Sequence, residues 1–462
     1  MILLLEGLAS SGLQMITIRQ TVPFVGSSVL TTSIVISCFL GALAFGYYWG
    51  GKQSRSNYVD VLIKNLVASI GIFGIGLSYF FVNYFFPTIS GLTAGISLIH
   101  SPLFHLGVFC LLIMAPLVFF LAQTVPLLLH TAKSESSKSE AAGNATAVST
   151  IGNVVGCLFT SLFLMFYFGV GTSIFINCLI LTGCLFLITG KKISKLTRIA
   201  VPAAFLFLTA SHILNIGVSN TLFESTSPYS NLSIQTETNG KRLVINRSSA
   251  SYIGNTDRAG WPYIELMKDY FKADQKIAGK EILVLGAGGF TLSAESTLGA
   301  NFTYIDVDKD LKSVSESSFL KEPIKGNFIV ADARNFLLTT KKQWDYIVVD
   351  LYSNAATIPM HTATHEFFTL VQSRLTTDGR SLLNIAANPR LTDDYSRNMD
   401  FTVRTSFDRC ITDITSFEDK LVNIIYLCSP KNDSVARLYT DDTTEVAVHG
   451  YNTFFSSSWN AY

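Results

Sequence analysis

As far as about Val218 the chain reads as long apolar blocks divided by short polar breaks, and beyond it polar and apolar residues mix at a much shorter period. A helix needs about twenty apolar residues to cross a bilayer. The blocks at 1–22, 27–50, 59–83, 103–128, 146–168, 172–190 and 198–216 therefore predict about seven crossing helices. The first begins at Met1 and holds Glu6 and Gln14 without a basic start, which predicts a retained anchor and not a cleaved leader. After Val218, Asn231 to Glu237 and Arg242 to Asn246 alternate around Asn239-Gly240, a hairpin signal. Helical sequence follows from Trp261 to Lys272. Apolar runs near 281–285, 302–306, 327–331, 344–350 and 380–385 then alternate with helical stretches, which predicts a doubly wound parallel sheet of Rossmann-like, methyltransferase type. Two further runs, 410–415 and 421–428, are spaced to pair antiparallel at its edge. The expected division is a membrane domain over 1–216, a β-hairpin with its connecting helix over 217–275, and the α/β domain over 276–462.

Composition supports that split. Apolar residues make up 49% of the 462 and charged residues only 15%, a balance expected of membrane spans. A net charge of +1 offers no basic field for nucleic acid. Five cysteines, Cys38, Cys110, Cys157, Cys178 and Cys184, lie in apolar blocks, where a thiol acts as a small hydrophobe. Cys410 and Cys428 fit no zinc spacing, no metal is expected, and the two can pair if their domain occupies an oxidising compartment. Ala42, Gly46 and Gly50, and likewise Gly152 and Gly156, recur every fourth residue, a spacing that lets helix backbones approach closely. Polar residues within the blocks are Glu6, Gln14, Gln123, Asn153, Asn177 and His212. Glu6 and His212 lie near enough to block ends to reach an interface, and no charged pair recurs as a transport path requires.

Lysine and arginine set the expected orientation. Lys52 and Arg55, Lys133 and Lys138, and Lys191, Lys192, Lys195 and Arg198 fall in alternate loops, against Arg19 alone in the others. Met1 is then cytoplasmic and, with seven crossings, the soluble domain lies outside. An adenosine donor belongs in the cytoplasm, so count and chemistry conflict unless one crossing is miscounted.

In a doubly wound sheet the ligand lies beyond the carboxyl ends of the strands. Gly286, Gly288 and Gly289 end the first strand, where glycine permits a tight turn against a ligand. Asp306 ends the second, placed for ribose hydroxyls. Asp332 ends the third, placed for an adenine amino group, and Asp350 ends the fourth, facing the reacting centre. His361 precedes His365 by four residues, a spacing that on a helix places both on one face and suits proton handling. Tyr263 and Glu265 are expected on the acceptor side.

Here the chain resembles the spermidine synthase-like proteins, in particular members in which a multi-span domain precedes the synthase-like domain. The resemblance runs through Gly41-Ala-Leu-Ala-Phe-Gly46, Asn144 to Gly156, Ser227-Pro228-Tyr229, Tyr263-Ile264-Glu265, Gly286-Ala-Gly288-Gly289, Asp332-Ala333, Trp344 to Asp350 and Ile358-Pro359-Met360-His361. The last two, joined by Leu351-Tyr352-Ser353, are similar to the fused subgroup. The resemblance implies a decarboxylated S-adenosylmethionine donor, Asp350 deprotonating the attacking amine, and Tyr229 and Tyr352 at the substrate. The sequence departs from the soluble enzymes at Ser353, which stands in place of a second carboxylate, at Gly289-Phe290-Thr291, which lacks the glycine-loop aspartate, and at Ser230, where they carry glutamine. A cationic diamine needs several carboxylates, so the departures argue against ordinary spermidine synthesis.

The expected function is transfer of an alkyl group, aminopropyl-type or methyl, from S-adenosylmethionine or its decarboxylated form to a nucleophile, including one borne by the bilayer. One alternative is a phospholipid-derived donor outside the cytoplasm. Another is a polyamine or adenosine-metabolite transporter with a non-catalytic sensor domain. Expected partners are the bilayer and a small-molecule or membrane-borne acceptor, with oligomers allowed and nucleic acid excluded.

Overall fold

Helices that are apolar on every side can only pack on one another or face lipid, and in the computed structural model of the chain the apolar blocks form one helical bundle. The structure describes residues 1–53, 58–96, 99–129, 138–189, 195–352 and 358–430. Arg55, Lys133, Lys191, Lys192 and Ser353 lie outside the described residues. Six helical runs are long and apolar enough to cross a membrane: Ile2–Val25, Val29–Gly51, Tyr58–Gly76, Pro102–Leu129, Ser139–Ile188 and Val201–Leu222. The fifth reverses at Gly169, where φ is 74° and ψ 173°. Asn177 Nδ2 there reaches Thr160 Oγ1 at 3.5 Å, although a straight helix rising 1.5 Å per residue would hold the two roughly 25 Å apart. Its two limbs cover the apolar blocks at 146–168 and 172–190.

Some boundaries differ from the sequence reading. The third block breaks after Gly76, because the Ser78 side chain accepts from Phe81 N and starts a separate helix, Tyr79–Thr93. The last helix continues to Leu222, beyond 216. Glu6 is packed inside the bundle, 2% exposed, its carboxylate accepting from Ser149 Oγ at 3.4 Å. His212 stacks on Phe175 with ring centroids 4.4 Å apart. Gly152 and Gly156 let their helix lie close against the first, since a Cβ at either would collide with the carbonyl oxygen of Leu4 or Leu8.

After the bundle come β1 (Ser225–Thr226), β2 (Asn231–Thr236), β3 (Gly240–Ile245) and β4 (Ser248–Gly254), an antiparallel sheet in that order. The expected hairpin is β2–β3, with Thr236 opposite Lys241. The strand β4 joins it through Asn246 and Arg247, both at positive φ (49° and 67°), the twist that two-residue hairpins favour. The helix Pro262–Ala273 leads into β5 (Glu281–Leu285), β6 (Asn301–Asp306), β7 (Asn327–Val330), β8 (Trp344–Val349), β9 (Leu375–Ala387), β10 (Arg409–Ile414) and β11 (Val422–Ser429). These form a second sheet ordered β10-β11-β9-β8-β5-β6-β7. From β9 to β7 the strands run parallel, whereas β11 and β10 are antiparallel. Both faces of the sheet are covered, so Ile282 and Val284 enter one apolar cluster and Leu283 and Leu285 the other, as a continuous apolar run requires. Cys410 and Cys428 lie opposite each other on β10 and β11 and form a disulfide.

Candidate functional site

The chain order of the second sheet reverses between β5 and β8, and such a switch point opens a crevice beyond the carboxyl ends of the two strands. Gly286 follows β5 and Asp350 follows β8, so both stand at that crevice. Their backbones touch: Gly286 adopts φ 92°, and the direction a Cβ would take is filled by the Asp350 carbonyl oxygen. Only glycine permits both the conformation and the contact. Gly289 N–H donates to Ser251 Oγ on β4 at 2.8 Å, which ties the glycine loop to the smaller sheet. Phe290 is buried edge-on against Tyr304 and Phe328, with centroids at 4.9 and 5.4 Å. The loop is thus anchored in the core by an aromatic ring.

Asp350 is held on both oxygens. Its Oδ2 accepts from Tyr263 Oη at 3.1 Å and its Oδ1 from Asn384 Nδ2 at 2.8 Å. Asn384 is oriented in turn by Asn423, whose Nδ2 donates to Asn384 Oδ1 at 2.9 Å. Desolvation raises the Asp350 carboxyl above its ordinary value, partly opposed by the hydrogen bonds from Asn384 and Tyr263. The Tyr263 phenol is pushed well up, first by burial and then by the adjacent Asp350, so it stays a donor. Tyr352 Oη donates to Asn384 O at 3.1 Å and accepts from Ala386 N at 2.7 Å, closing the same polar cluster. Burial raises its phenol as well.

Asp306 serves the glycine loop from β6. Its Oδ2 accepts from Ala287 N at 3.1 Å and its Oδ1 from Asp308 N at 3.0 Å. Burial pushes its carboxyl up to about 6 against those hydrogen bonds. A second carboxylate, Asp308, is 2% exposed and accepts from Ser227 Oγ at 2.7 Å and from Ser230 Oγ.

The remaining expected residues stand apart from this cluster. Asp332 caps the helix Ala333–Thr339 by accepting from Asn335 N at 2.8 Å. Its other oxygen faces His361 Nε2 at 3.4 Å, so His361 is partnered by Asp332 and not by Asp350. His361 lies in the short turn Met360–Thr362, whereas His365 opens the next helix; the two do not share a helical face. Glu265 Oε1 accepts from Gly260 N at 2.6 Å and pairs with Lys268 Nζ at 2.9 Å, bracing the approach to its own helix. Tyr229 is exposed, in a turn whose backbone N–H donates to Ser227 Oγ at 3.1 Å.

Asn384, Asn423, Ser251 and Asp308 were not singled out in the sequence. Asn384 alone carries a signal there, an amide inside the apolar run Leu382-Leu383-Asn384-Ile385, where an unpartnered polar group is costly.

No protein-family profile and no curated protein sequence matches the chain. Among solved structures, a probable spermidine synthase from Corynebacterium glutamicum is 19% identical over 48% of this chain and 82% of that one, with a TM-score of 0.39. The spermidine synthase of Thermotoga maritima is 14% identical over 48% and 81%, with a TM-score of 0.34. Human methyltransferase-like protein 13, in complex with SAH, is 15% identical over 40% and 92%, with a TM-score of 0.29.

Proposed function

We propose that the chain is an integral membrane transferase that moves an alkyl group, aminopropyl-type or methyl, from an S-adenosylmethionine-like sulfonium to a nucleophile. The observation that carries this reading is Asp350, fixed on both oxygens at the switch-point crevice and in backbone contact with the glycine turn of β5. On this reading Asp306 accepts the ribose hydroxyls, the backbone of Gly286 to Gly289 lies against the donor, and Asp332, with His361 beside it, borders the adenine. The donor supplies an electrophilic carbon on a positively charged sulfur. As the acceptor's lone pair forms the new bond to that carbon, the carbon–sulfur bond breaks, its electron pair stays on sulfur, and a neutral thioether leaves. Asp350 takes the proton that an amine acceptor sheds, a role suited to a carboxyl raised by burial. Tyr263 and Asn384 aim it, and Tyr352 walls the acceptor side. Among the described residues Asp350 is the one carboxylate of this cluster, Glu265 being engaged with Lys268, and a single carboxylate suits an acceptor with one amino group better than a dication.

Calorimetric titration of the detergent-solubilised chain with S-adenosylmethionine, its decarboxylated form and methylthioadenosine tests the reading. Binding of at least one is expected; silence towards all three refutes a nucleoside donor. A second reading has the Cys410–Cys428 disulfide in its favour, because disulfides persist in oxidising compartments. With Met1 cytoplasmic and seven crossings, the α/β domain is then extracytoplasmic and its donor a phospholipid headgroup. A membrane-impermeant thiol reagent against a cysteine placed at Tyr462 separates the two readings: labelling in intact cells supports the second, and labelling only after lysis refutes it.

A further inference from the structure

Arg19 belongs to the first long helix, yet its side chain ends at the turn between β1 and β2 of the smaller sheet. It is 5% exposed. Nε and Nη2 donate to Ser227 O at 3.0 and 2.6 Å, and Nη2 also donates to Asn231 Oδ1 at 2.8 Å. A buried guanidinium with no carboxylate in hydrogen-bonding contact is costly, so its place needs a reason beyond anchoring.

The reason lies one turn further on. Ser227 and Ser230 close a short turn, and both of their hydroxyls donate to Asp308 Oδ2. Ser227 also binds the turn's own backbone, accepting from Tyr229 N and Ser230 N at 3.1 and 3.0 Å. Asp308 Oδ1 accepts from Asp310 N at 3.1 Å, and Asp308 N donates to Asp306 Oδ1 at 3.0 Å. The carboxylate assigned to ribose is thus oriented by Asp308, Asp308 by two serines, and the serine turn by an arginine of the helical bundle. The flanking Lys309 does not supply the missing cation; its ammonium lies over the Phe166 ring, 5.3 Å from the centroid, at the end of another long helix.

We propose that Arg19 is a positioning residue for the donor site: the bundle sets the geometry of the loop after β6, and the donor pocket is complete only with the bundle in place. The inference rests on the donor reading above for its consequence, but its structural part is measurable without any donor. Amide hydrogen exchange of the full chain in detergent reads the Asp308 and Asp310 N–H groups, whose acceptors are the two carboxylates. In Arg19→Gln these amides exchange at least tenfold faster while those of β5 and β8 hold their protection. Arg19→Lys, which retains the charge, recovers part of the effect. Unchanged exchange at Asp308 and Asp310 overturns the proposal. Should Arg19→Gln fail to fold, the double variant Ser227→Ala, Ser230→Ala cuts the same link and leaves Arg19 its backbone acceptor, with the same expected and overturning outcomes. Donor titration adds the functional arm. A tenfold or greater rise in Kd in Arg19→Gln is expected to vanish in an Asp308→Asn background, because residues of one network are non-additive; additive losses assign Arg19 a general structural role and overturn the proposal. A parent protein that binds no nucleoside donor refutes the donor reading instead, and the exchange result stands.

Discussion

Exchanging Asp350 for asparagine separates the chemistry of the site from its architecture. Asp350 receives two hydrogen bonds, from Asn384 Nδ2 at 2.8 Å and from Tyr263 Oη at 3.1 Å. Asparagine keeps the first by turning its oxygen to Asn384, and its amide then donates to the Tyr263 hydroxyl, which rotates to accept. Only the phenol proton then loses its acceptor, so the expected loss of stability is about 1–3 kcal/mol, the cost of one stranded donor. Asp350→Ala is the contrast. It leaves the Asn384 amide and the Tyr263 hydroxyl facing a void, at about 1–3 kcal/mol for each stranded donor and so about 2–6 kcal/mol in all. Turnover orders the variants differently. An amide accepts no proton at neutral pH, and losing a positioned base costs roughly two to four orders of magnitude in rate, about 3–5 kcal/mol in the barrier. The asparagine variant is therefore expected to melt between the parent and the alanine variant, bind donor like the parent and form almost no product. Thermal unfolding in detergent, donor calorimetry and mass spectrometry of the thioether product measure the three quantities. An asparagine variant with near-parental turnover removes Asp350 from proton transfer. One as unstable as the alanine variant refutes the hydrogen-bond geometry on which the argument rests.

Asp306 titrates near pH 6 in the fold against an ordinary value of 3.8, so the fold favours its protonated form. Its contribution to stability is greatest below about pH 4, and about 3 kcal/mol is lost as pH rises through 6. Ribose hydroxyls favour the ionised form, so donor binding near pH 6 releases protons; identical binding heats in two buffers of different ionisation enthalpy refute this. Gly156→Ala puts a methyl group into the Leu8 carbonyl of the first helix, and the expected result is a lower unfolding temperature for the whole chain with no change in donor affinity per folded molecule; an unchanged melting temperature contradicts the packing. Cys410→Ser opens a cross-link between residues 18 apart, an expected loss of about 3 kcal/mol by loop entropy; insensitivity of the parent's melting to reductant contradicts it.

The long elements and the strand-end chemistry were legible in the sequence because they depend on local pattern. Apolar blocks of crossing length, the Asn239-Gly240 turn, and the glycine or aspartate after each central strand all announce themselves within a few residues. The sequence marks the reversal at Gly169 only by the gap between the blocks at 146–168 and 172–190, because the apolar character continues on either side of it and a single glycine breaks the helix. It also hides the hairpin into β4, since Asn246-Arg247 puts an arginine at positive φ, where turn rules expect glycine. The orienting shell of Asp350 is illegible for a third reason. Asn384 and Asn423 meet only because β11 returns antiparallel beside β9, a register that no short window contains. His361 shows the converse: its spacing to His365 is helical, but the helix starts after it, and its partner Asp332 comes from another strand.

The inner face of the first helix has a consequence for how the chain is made. Thr17 and Thr21 satisfy their hydroxyls on carbonyls of their own helix, Leu13 O and Thr17 O, and are ready as soon as that helix exists. Glu6, Ser11 and Arg19 find their partners 143, 142 and 208 residues later in the chain. At a synthesis rate of about 5–20 residues per second, the first helix waits on the order of ten to thirty seconds for Ser149 and Asn153, and longer for Ser227. In a chain inserted as it leaves the ribosome, a carboxylate and a guanidinium face lipid or the insertion machinery throughout that interval. Retention of the first helix is then decided by the timing of its partners' delivery, and slowing translation between residues 25 and 150 endangers a segment that has already been made.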